Sequence, residues 1–298
     1  MPEQKKQTAK QHFVPQYYLK RFSESKDFLF VYNKVNGKIY QSSIKDIAVQ
    51  NRAYDTRWID SPMGEEYLLE NRIENHLSRI ESKQALFIRD LIRRLNMSLL
   101  AGGAKMLITP DDKEQLQWFV SLMIMRNPFI MNAFHKNPSE VIYDDELSAI
   151  KDLVESARLG RFDSWLEHGQ KIALTNGEGE GMVRFLKDNL EHLNPRFVFA
   201  EAGLTFVTCS NPVAYWMEGE SDDEIRFSSL HIPLSPKFML NLTEREDAPM
   251  LLPFPREGVD RLNYNYADLG HKHVKAVYSA KKGVLEDLKL KNTMRHSE

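Results

Sequence analysis

The chain has 298 residues, 42% of them hydrophobic and 28% charged, with 16 Phe, 11 Tyr and 4 Trp. That is enough apolar mass to bury a core, so composition excludes a disordered chain, and length places it between one large domain and two ordinary ones. The formal net charge of -2 excludes the strongly basic footprint of a dedicated nucleic-acid or anionic-membrane binder. A single cysteine, Cys209, excludes an intramolecular disulfide and fits a reducing cytoplasm.

Residues 1–11 are polar, lack the apolar core of a signal peptide and read as a flexible arm. Lys5, Lys6, Lys10, Lys20, Arg21 and Lys26 face only Glu3 and Glu24, and Lys281, Lys282, Lys289, Lys291 and Arg295 mark a basic tail at 281–298. An acidic run, Glu218 to Glu224, offsets them, and such blocks read as solvated termini and a solvated loop. No run approaches the roughly 18 apolar residues of a membrane span, so no membrane association is expected.

Pro15 to Phe22 predicts a short helix with Tyr18, Leu19 and Phe22 on its buried side, Pro being tolerated in the first turn. Phe28–Tyr32 and Lys38–Ser42 are β-rich runs around Asn36-Gly37, a strong hairpin signal. Apolar residues at three- and four-residue steps from Leu69 to Leu95 predict a long helix over 63–97. Thr109-Pro110-Asp111-Asp112 then reads as a helix start, with Thr as N-cap and Pro at the first position, running to about Arg126. Residues 139–168 suggest one or two more helices. The glycine-rich stretch 176–181 lacks a preceding β-run and a P-loop lysine, so it is not a phosphate cradle. Residues 182–193 read as helix, and 196–201 with 204–208 as two strands around Ala202-Gly203. Residues 229–234 with 237–242 form a second pair around Ser235-Pro236, 258–269 start a final helix, and 273–279 are helical or extended. This segregated order predicts an α+β fold, with an N-terminal β-hairpin and C-terminal antiparallel β segments on a mostly helical middle. A helical part at 63–193 and a β-rich part at 194–245 share one domain over 12–280.

Several residues carry candidate chemistry. His12 can act as acid or base near neutral pH, or simply cap and pack. Glu70, Glu74 and Glu81, four and seven residues apart, fall along one helical stripe bordering the apolar face. They can hold a divalent cation, magnesium or manganese, or form an ordinary flank paired with Arg or Lys. Arg126, ending an apolar helix before Asn127-Pro128, needs an anion, a carbonyl or water. Pairing with one of those glutamates is the preferred reading, a substrate phosphate the alternative. Asn211, in Thr208-Cys209-Ser210-Asn211-Pro212 after a strand, either positions a substrate or holds a turn. Cys209 has no motif-supplied base, and His76, His231, His271 and His273 have no metal-ligand spacing.

His12-Phe13-Val14-Pro15-Gln16-Tyr17-Tyr18-Leu19 with Phe22 resembles the opening of a bacterial family, domain-of-unknown-function family 4238. The likeness continues in order through Val31-Tyr32, Tyr54, the Glu74–Glu81 stretch, Phe119 with Arg126-Asn127-Pro128, Thr208–Pro212, Pro233–Pro236, Asn263 and Val277-Tyr278-Ser279. Two positions depart from it: Ser210 stands where the family has an acid, and Met123 where a glutamine is common. Some members are associated with defence against phage. The resemblance therefore implies a cytoplasmic defence protein, with a nucleic acid, a nucleotide or a phage component as partner, and a homo-oligomer is compatible with it. Two functions are expected from these residues. The first is a nuclease or nucleotide hydrolase using His12, Glu74, Glu81, Arg126 and Asn211, with Glu74 and Glu81 on a metal. The second is a non-catalytic sensor or interaction module in which the same residues form a buried polar network. Convergence in an open pocket favours the enzyme, and burial with mutual hydrogen bonds favours the module.

Overall fold

The computed structural model describes residues 10–25, 27–59, 62, 67–68, 71–102, 108–128, 148, 151–152, 154, 161–175, 182–218, 226–245, 250–268 and 274–295. Strand β1 (Lys10–His12) leads into helix α1 (Gln16–Leu19), which tightens into a 3-10 turn over Lys20–Phe22. Pro15 precedes the helix at φ -58°, its ring setting the angle a helix needs. Tyr18, Leu19 and Phe22 are buried, as their spacing predicts. Strands β2 (Phe28–Asn33) and β3 (Lys38–Ser43) form the expected hairpin, with Gly37 at φ +68° in its turn, where a side chain would be strained.

Strand β4 (Val49–Asn51) pairs antiparallel with β1, Lys10 opposite Asn51. Lys10 and Gln11 therefore belong to a strand rather than to an arm. Gln11 is fully buried because its carboxamide accepts from Tyr54 N (2.7 Å) and donates to Asp55 (2.9 Å), so burial leaves neither end of it unbonded. Residues 1–9 lie outside the described residues. Strands β5 (Thr56–Arg57) and β6 (Tyr67–Leu68) make a two-stranded ribbon. Helix α2 (Arg72–Leu100) accordingly starts later than its periodicity predicts, because Tyr67 and Leu68 use their backbone in that ribbon.

Ile73, Leu77, Ile88, Leu91 and Leu95 form the buried stripe of α2. Helix α3 (Pro110–Met125) opens on a capping box: Thr109 accepts from Asp112 N, and Asp112 accepts from Thr109 N. Asp112 also receives Arg94 of α2 through two bonds of 2.6 and 2.9 Å, which locks the two helices together. The last turns of α3, Leu116 and Phe119 through Met125, are buried on every side, so this is a central helix. Met123 is part of that core at 3% exposure, where a thioether packs without the partners a glutamine would require. Helices α4 (Phe162–Thr175) and α5 (Met182–Asp188) follow. Most of 139–160, the glycine-rich stretch 176–181, Glu70, His271 and His273 lie outside the described residues.

Strand β7 (Asn194–Ala200) does not pair with the segment after it. It sits in a five-stranded sheet with β9 (Ala214–Glu218), β10 (Arg226–Pro233), β11 (Phe238–Thr243) and β12 (Leu251–Phe254), in the order β12-β7-β11-β10-β9. Strand β8 (Thr208–Cys209) sits in a second sheet, β3-β2-β13-β8, with β13 (Ala276–Ser279). The expected hairpin over 196–208 fails because Phe206 N donates to Pro236 O and Val207 N to the Asn263 side chain, so remote partners take the ladder donors. The pairing of β10 with β11 is as expected, and β12 lies parallel to β7, the exception to antiparallel pairing. Helix α6 (Arg256–Ala267) carries Asn263. Helix α7 (Lys282–Arg295) replaces the expected tail: Leu285, Leu288 and Asn292, at helical spacing, are buried under its lysines. The fold is α+β. One buried cluster runs from Val14 and Tyr18 through α2 and α3 to β10 and β11, and a second lies around β13, α6 and α7.

Candidate functional site

Arg126 caps the C-terminus of helix α3, still in helical geometry, and its side chain is buried in the core. Its exposure is 0%, and every kind of nitrogen in the guanidinium has a protein acceptor. Nη1 donates to Glu81 Oε1 at 2.6 Å, Nη2 to the His12 carbonyl at 2.5 Å, and Nε to Tyr54 Oη at 3.3 Å. Tyr54 Oη in turn donates to the same His12 carbonyl at 3.1 Å. Burial by itself works against the guanidinium charge, yet Tyr54 and Glu81 outweigh it and hold the pKa above its ordinary value. The arrangement ties β1, the loop before β5, α2 and α3 to one cation.

His12 enters this network through its backbone. The imidazole points elsewhere: Nε2 lies 3.2 Å from Ile44 O and Nδ1 3.5 Å from Gln16 Nε2. A carbonyl can only accept, so Nε2 carries the proton and Nδ1 accepts. Burial lowers the His12 pKa, so the ring is neutral and fixed in one tautomer.

Glu74 sits two turns before Glu81 on α2, in the helix's first turn. Burial raises its pKa to about 7, with Arg126 opposing and Glu81 and Asp55 adding to the rise. Its Oε2 is buried and has no hydrogen-bond partner among the described residues. Asp55 links this carboxyl to a second group of polar atoms. It accepts from Asn71 N (2.8 Å) and Gln11, and its charge acts on both Glu74 and His168 of α4. His168 is 4% exposed and neither ring nitrogen has a partner among the described residues. Burial first, then Arg72 and Lys171, lowers its pKa. Thr56 Oγ1, also unpartnered, is fully buried nearby in sequence to Asp55.

The residues do not make a good seat for magnesium or manganese. Glu81 is already the counter-ion of Arg126, and among the described residues no group of three His, Cys, Asp or Glu side chains is placed to hold a metal. No step is derived through such an ion.

Asn211 stands apart from the other four. The Arg126 turn does reach its loop, since Asn127 Nδ2 lies 3.4 Å from Ser210 O. The Asn211 side chain, however, lines a cavity beside β9 to which His12, Glu74, Glu81 and Arg126 contribute nothing. Ser210, at the position of the family's acid, accepts from Lys275 N (2.9 Å) and Ala276 N (3.2 Å) and so holds the loop against β13. Cys209 is buried, its thiol donating to Asn211 O at 3.0 Å and pushed up to about 12 by burial, which leaves it no nucleophile. A larger cleft of about 670 Å3, with Arg21, Lys237 and Lys281 against Glu24 and Glu201, opens beside α1 and is also lined by none of the five.

The structure thus brings His12, Glu81 and Arg126 into contact, sets Glu74 within their field and places Asn211 elsewhere. Sequence reasoning missed Gln11, Asp55 and His168. Polar residues buried by remote contacts carry no local pattern, and the one available signal was that Gln11 directly precedes the His12 block.

A buried cation clamped between an N-terminal strand and two central helices, in a fold of helices and separate sheets, defines an α+β protein organised around its N-terminal block. The sequence profile of the family described as Protein of unknown function (DUF4238) matches residues 10–282, and the chain belongs to this family. No curated protein and no solved structure gives a significant match. Among the described residues no helix is long and apolar enough to cross a membrane.

Proposed function

We propose that this chain is a non-catalytic sensor or interaction module of bacterial antiviral defence, working in the cytoplasm, with a phage component or a nucleotide as the molecule it reads. The observation that supports a module over an enzyme is the closure of Arg126. A guanidinium with no exposed surface, held by Glu81, Tyr54 and the His12 carbonyl, is out of reach of a substrate phosphate. Such a network joins the N-terminal segment to the helices and rigidifies the fold around it. The defence setting is supported by the family resemblance. The test is substitution of His12 by Ala, whose ring contacts only lock local geometry. Folded H12A protein is expected to protect infected cells as the wild type does, with unchanged nucleic acid. Loss of protection with folding intact removes the reading.

A hydrolase reading has one observation in its favour. Glu74 combines a pKa near 7 with an unpartnered buried oxygen, the pattern of a general acid or base. Purified protein incubated with magnesium or manganese and RNA, DNA or nucleotides is expected to show no turnover. Turnover that disappears in E74Q would install Glu74 as the catalytic group and displace the sensor.

A further inference from the structure

The cleft of about 670 Å3 beside α1 opens where remote stretches of chain meet: the turn after α1, the end of α2, the turn after β7, the β10–β11 turn and the junction of β13 with α7. That volume falls within the range of small-molecule sites. Three cations, Arg21, Lys237 and Lys281, and two carboxylates, Glu24 and Glu201, share its lining. Among the described residues none of the five forms an ion pair. The residues next to this lining in sequence that lie outside the described set, Lys26 and 103–107, add two lysines and no acid.

Two observations point to a ligand. The first is that Arg21 is held in place but not neutralised. Its Nη2 donates to Ala85 O of α2 at 2.9 Å and its Nε is buried, whereas Nη1 is not sealed in and has no acceptor among the described residues. Burial lowers its pKa, Tyr17 opposes that fall, and Arg89, a like charge, adds to it. A half-buried guanidinium that a carbonyl fixes and no carboxylate neutralises is preorganised for an anion. The second is that two more cations from distant parts of the chain reach the same space. The turn carrying Lys237 is pinned to β7 by Ala200 N, which donates to Lys237 O at 2.9 Å, and its ammonium donates to Asn96 at 3.1 Å. Lys281 is fixed through its backbone, which donates to Ser279 Oγ at 3.1 Å, and its ammonium has no partner among the described residues. Glu24 and Glu201 are exposed and, as carboxylates, only accept, so they suit hydroxyl donors and repel a second anion.

We propose that this cleft binds a sugar phosphate, of which a nucleotide is one kind, with the phosphate on Arg21 and Lys281 and the sugar hydroxyls on Glu24 and Glu201. A phosphate supplies the anion that the cations lack, and carboxylates accept from ribose hydroxyls in dinucleotide sites. A bare anion would leave both carboxylates unused, and a bare sugar would leave the cations unpaired, so the two signs together select a compound carrying both groups. Phe199 and Leu204 give the same cleft an apolar stretch for whatever the sugar carries. The inference names the ligand class of the sensor reading and rests on it.

The test is calorimetric titration of the full chain with ribose 5-phosphate, with the monophosphates of adenosine, guanosine, cytidine and uridine, and with adenosine and inorganic phosphate alone. Ribose 5-phosphate or at least one nucleotide is expected to bind saturably and more tightly than either adenosine or inorganic phosphate. R21Q and K281A are each expected to weaken that binding by about tenfold or more with unchanged thermal melting. Lys281 is exposed, so K281A decides the matter if R21Q fails to fold. Tighter binding of a nucleotide than of ribose 5-phosphate assigns the site to nucleotides, and equal binding assigns it to the sugar phosphate itself. The proposal is overturned by no saturable binding to folded wild-type protein, by wild-type affinity in the folded variants, or by adenosine or inorganic phosphate binding as tightly as the ester. Absence of binding removes the ligand class and leaves the sensor reading standing. Hydrolysis of a bound nucleotide would do the reverse.

Discussion

Arg126 and Glu74 meet the same burial with opposite outcomes. The guanidinium keeps its charge because Glu81, Tyr54 and the His12 carbonyl replace its water. Removing the cation strands those acceptors, and breaking a buried pair costs about 3–5 kcal/mol. R126M is therefore expected to lower stability by that order in urea melts, and R126K by less, since an ammonium keeps the charge but cannot reach all three acceptors. A double-mutant cycle with E81Q should return a coupling energy well above the level of an exposed pair. Glu74 has no comparable partner, and burial raises its pKa from 4.5 to about 7. The folded state then holds a proton that the unfolded chain releases, so this group's contribution to stability is full below about pH 4.5 and is lost as pH rises through 7. E74Q removes that dependence. Its stability relative to wild type is expected to rise between pH 5 and pH 8 by roughly 1–3 kcal/mol, read from melts at both pH values. A difference that stays constant with pH would show that Glu74 titrates normally.

Among the elements, those that depend on neighbours along the chain are legible in the sequence itself. Thr109-Pro110-Asp111-Asp112 announces a capped helix because the capping box needs only four consecutive residues. T109A is expected to lower stability by about 1 kcal/mol in thermal or urea unfolding, the usual cost of losing an N-cap oxygen. The Asn36-Gly37 hairpin is legible for the same reason. Elements decided at a distance are not. Residues 204–207 look like a strand, yet Leu204 N turns back to Glu201 O and the Phe206 and Val207 donors go to Pro236 and Asn263. Tyr67 and Leu68 fall inside the expected helix over 63–97 but pair with Thr56 and Arg57. In α6, a Cβ on Gly258 would come within 2.7 Å of the Phe254 ring, so this glycine records a close approach of strand and helix that no local pattern reveals. G258A should destabilise by about 1–3 kcal/mol, and pairing it with F254A should recover part of the loss.

For the molecule as a whole, the C-terminal helix tests where the fold ends. Lysine density makes 281–298 read as a tail, but Leu285 and Leu288 are buried in the cluster around β13, and Asn292 donates to Ala267 O at the end of α6. Ending the chain after Ser279 would uncover Val277 and Tyr32 as well. Each buried leucine contributes roughly 1.5–3 kcal/mol. The shortened chain is therefore expected to lose cooperative unfolding, monitored by circular dichroism. The candidate site is legible in part. Pairing of Arg126 with a helix glutamate follows from an arginine ending an apolar helix, and Glu81 is that partner. His12 misleads, because its ring chemistry draws the eye while its carbonyl makes the contact, and a carbonyl has no signature in sequence.

Tyr18 donates to Pro233 O at 2.7 Å and, its one proton being used there, accepts from Thr208 Oγ1 at 2.9 Å, across 215 and 190 residues of chain. On a ribosome the N-terminal block emerges ahead of β10, so it can pair with β4 and meet Tyr54 and Arg126 while the Tyr18 hydroxyl still waits for Thr208 and Pro233. That one polar group stays unsatisfied through most of synthesis, a kinetic hazard typical of long-range contacts. The same geometry makes the Tyr18 hydroxyl a report on completeness: a chain broken off before residue 208 lacks both of its partners.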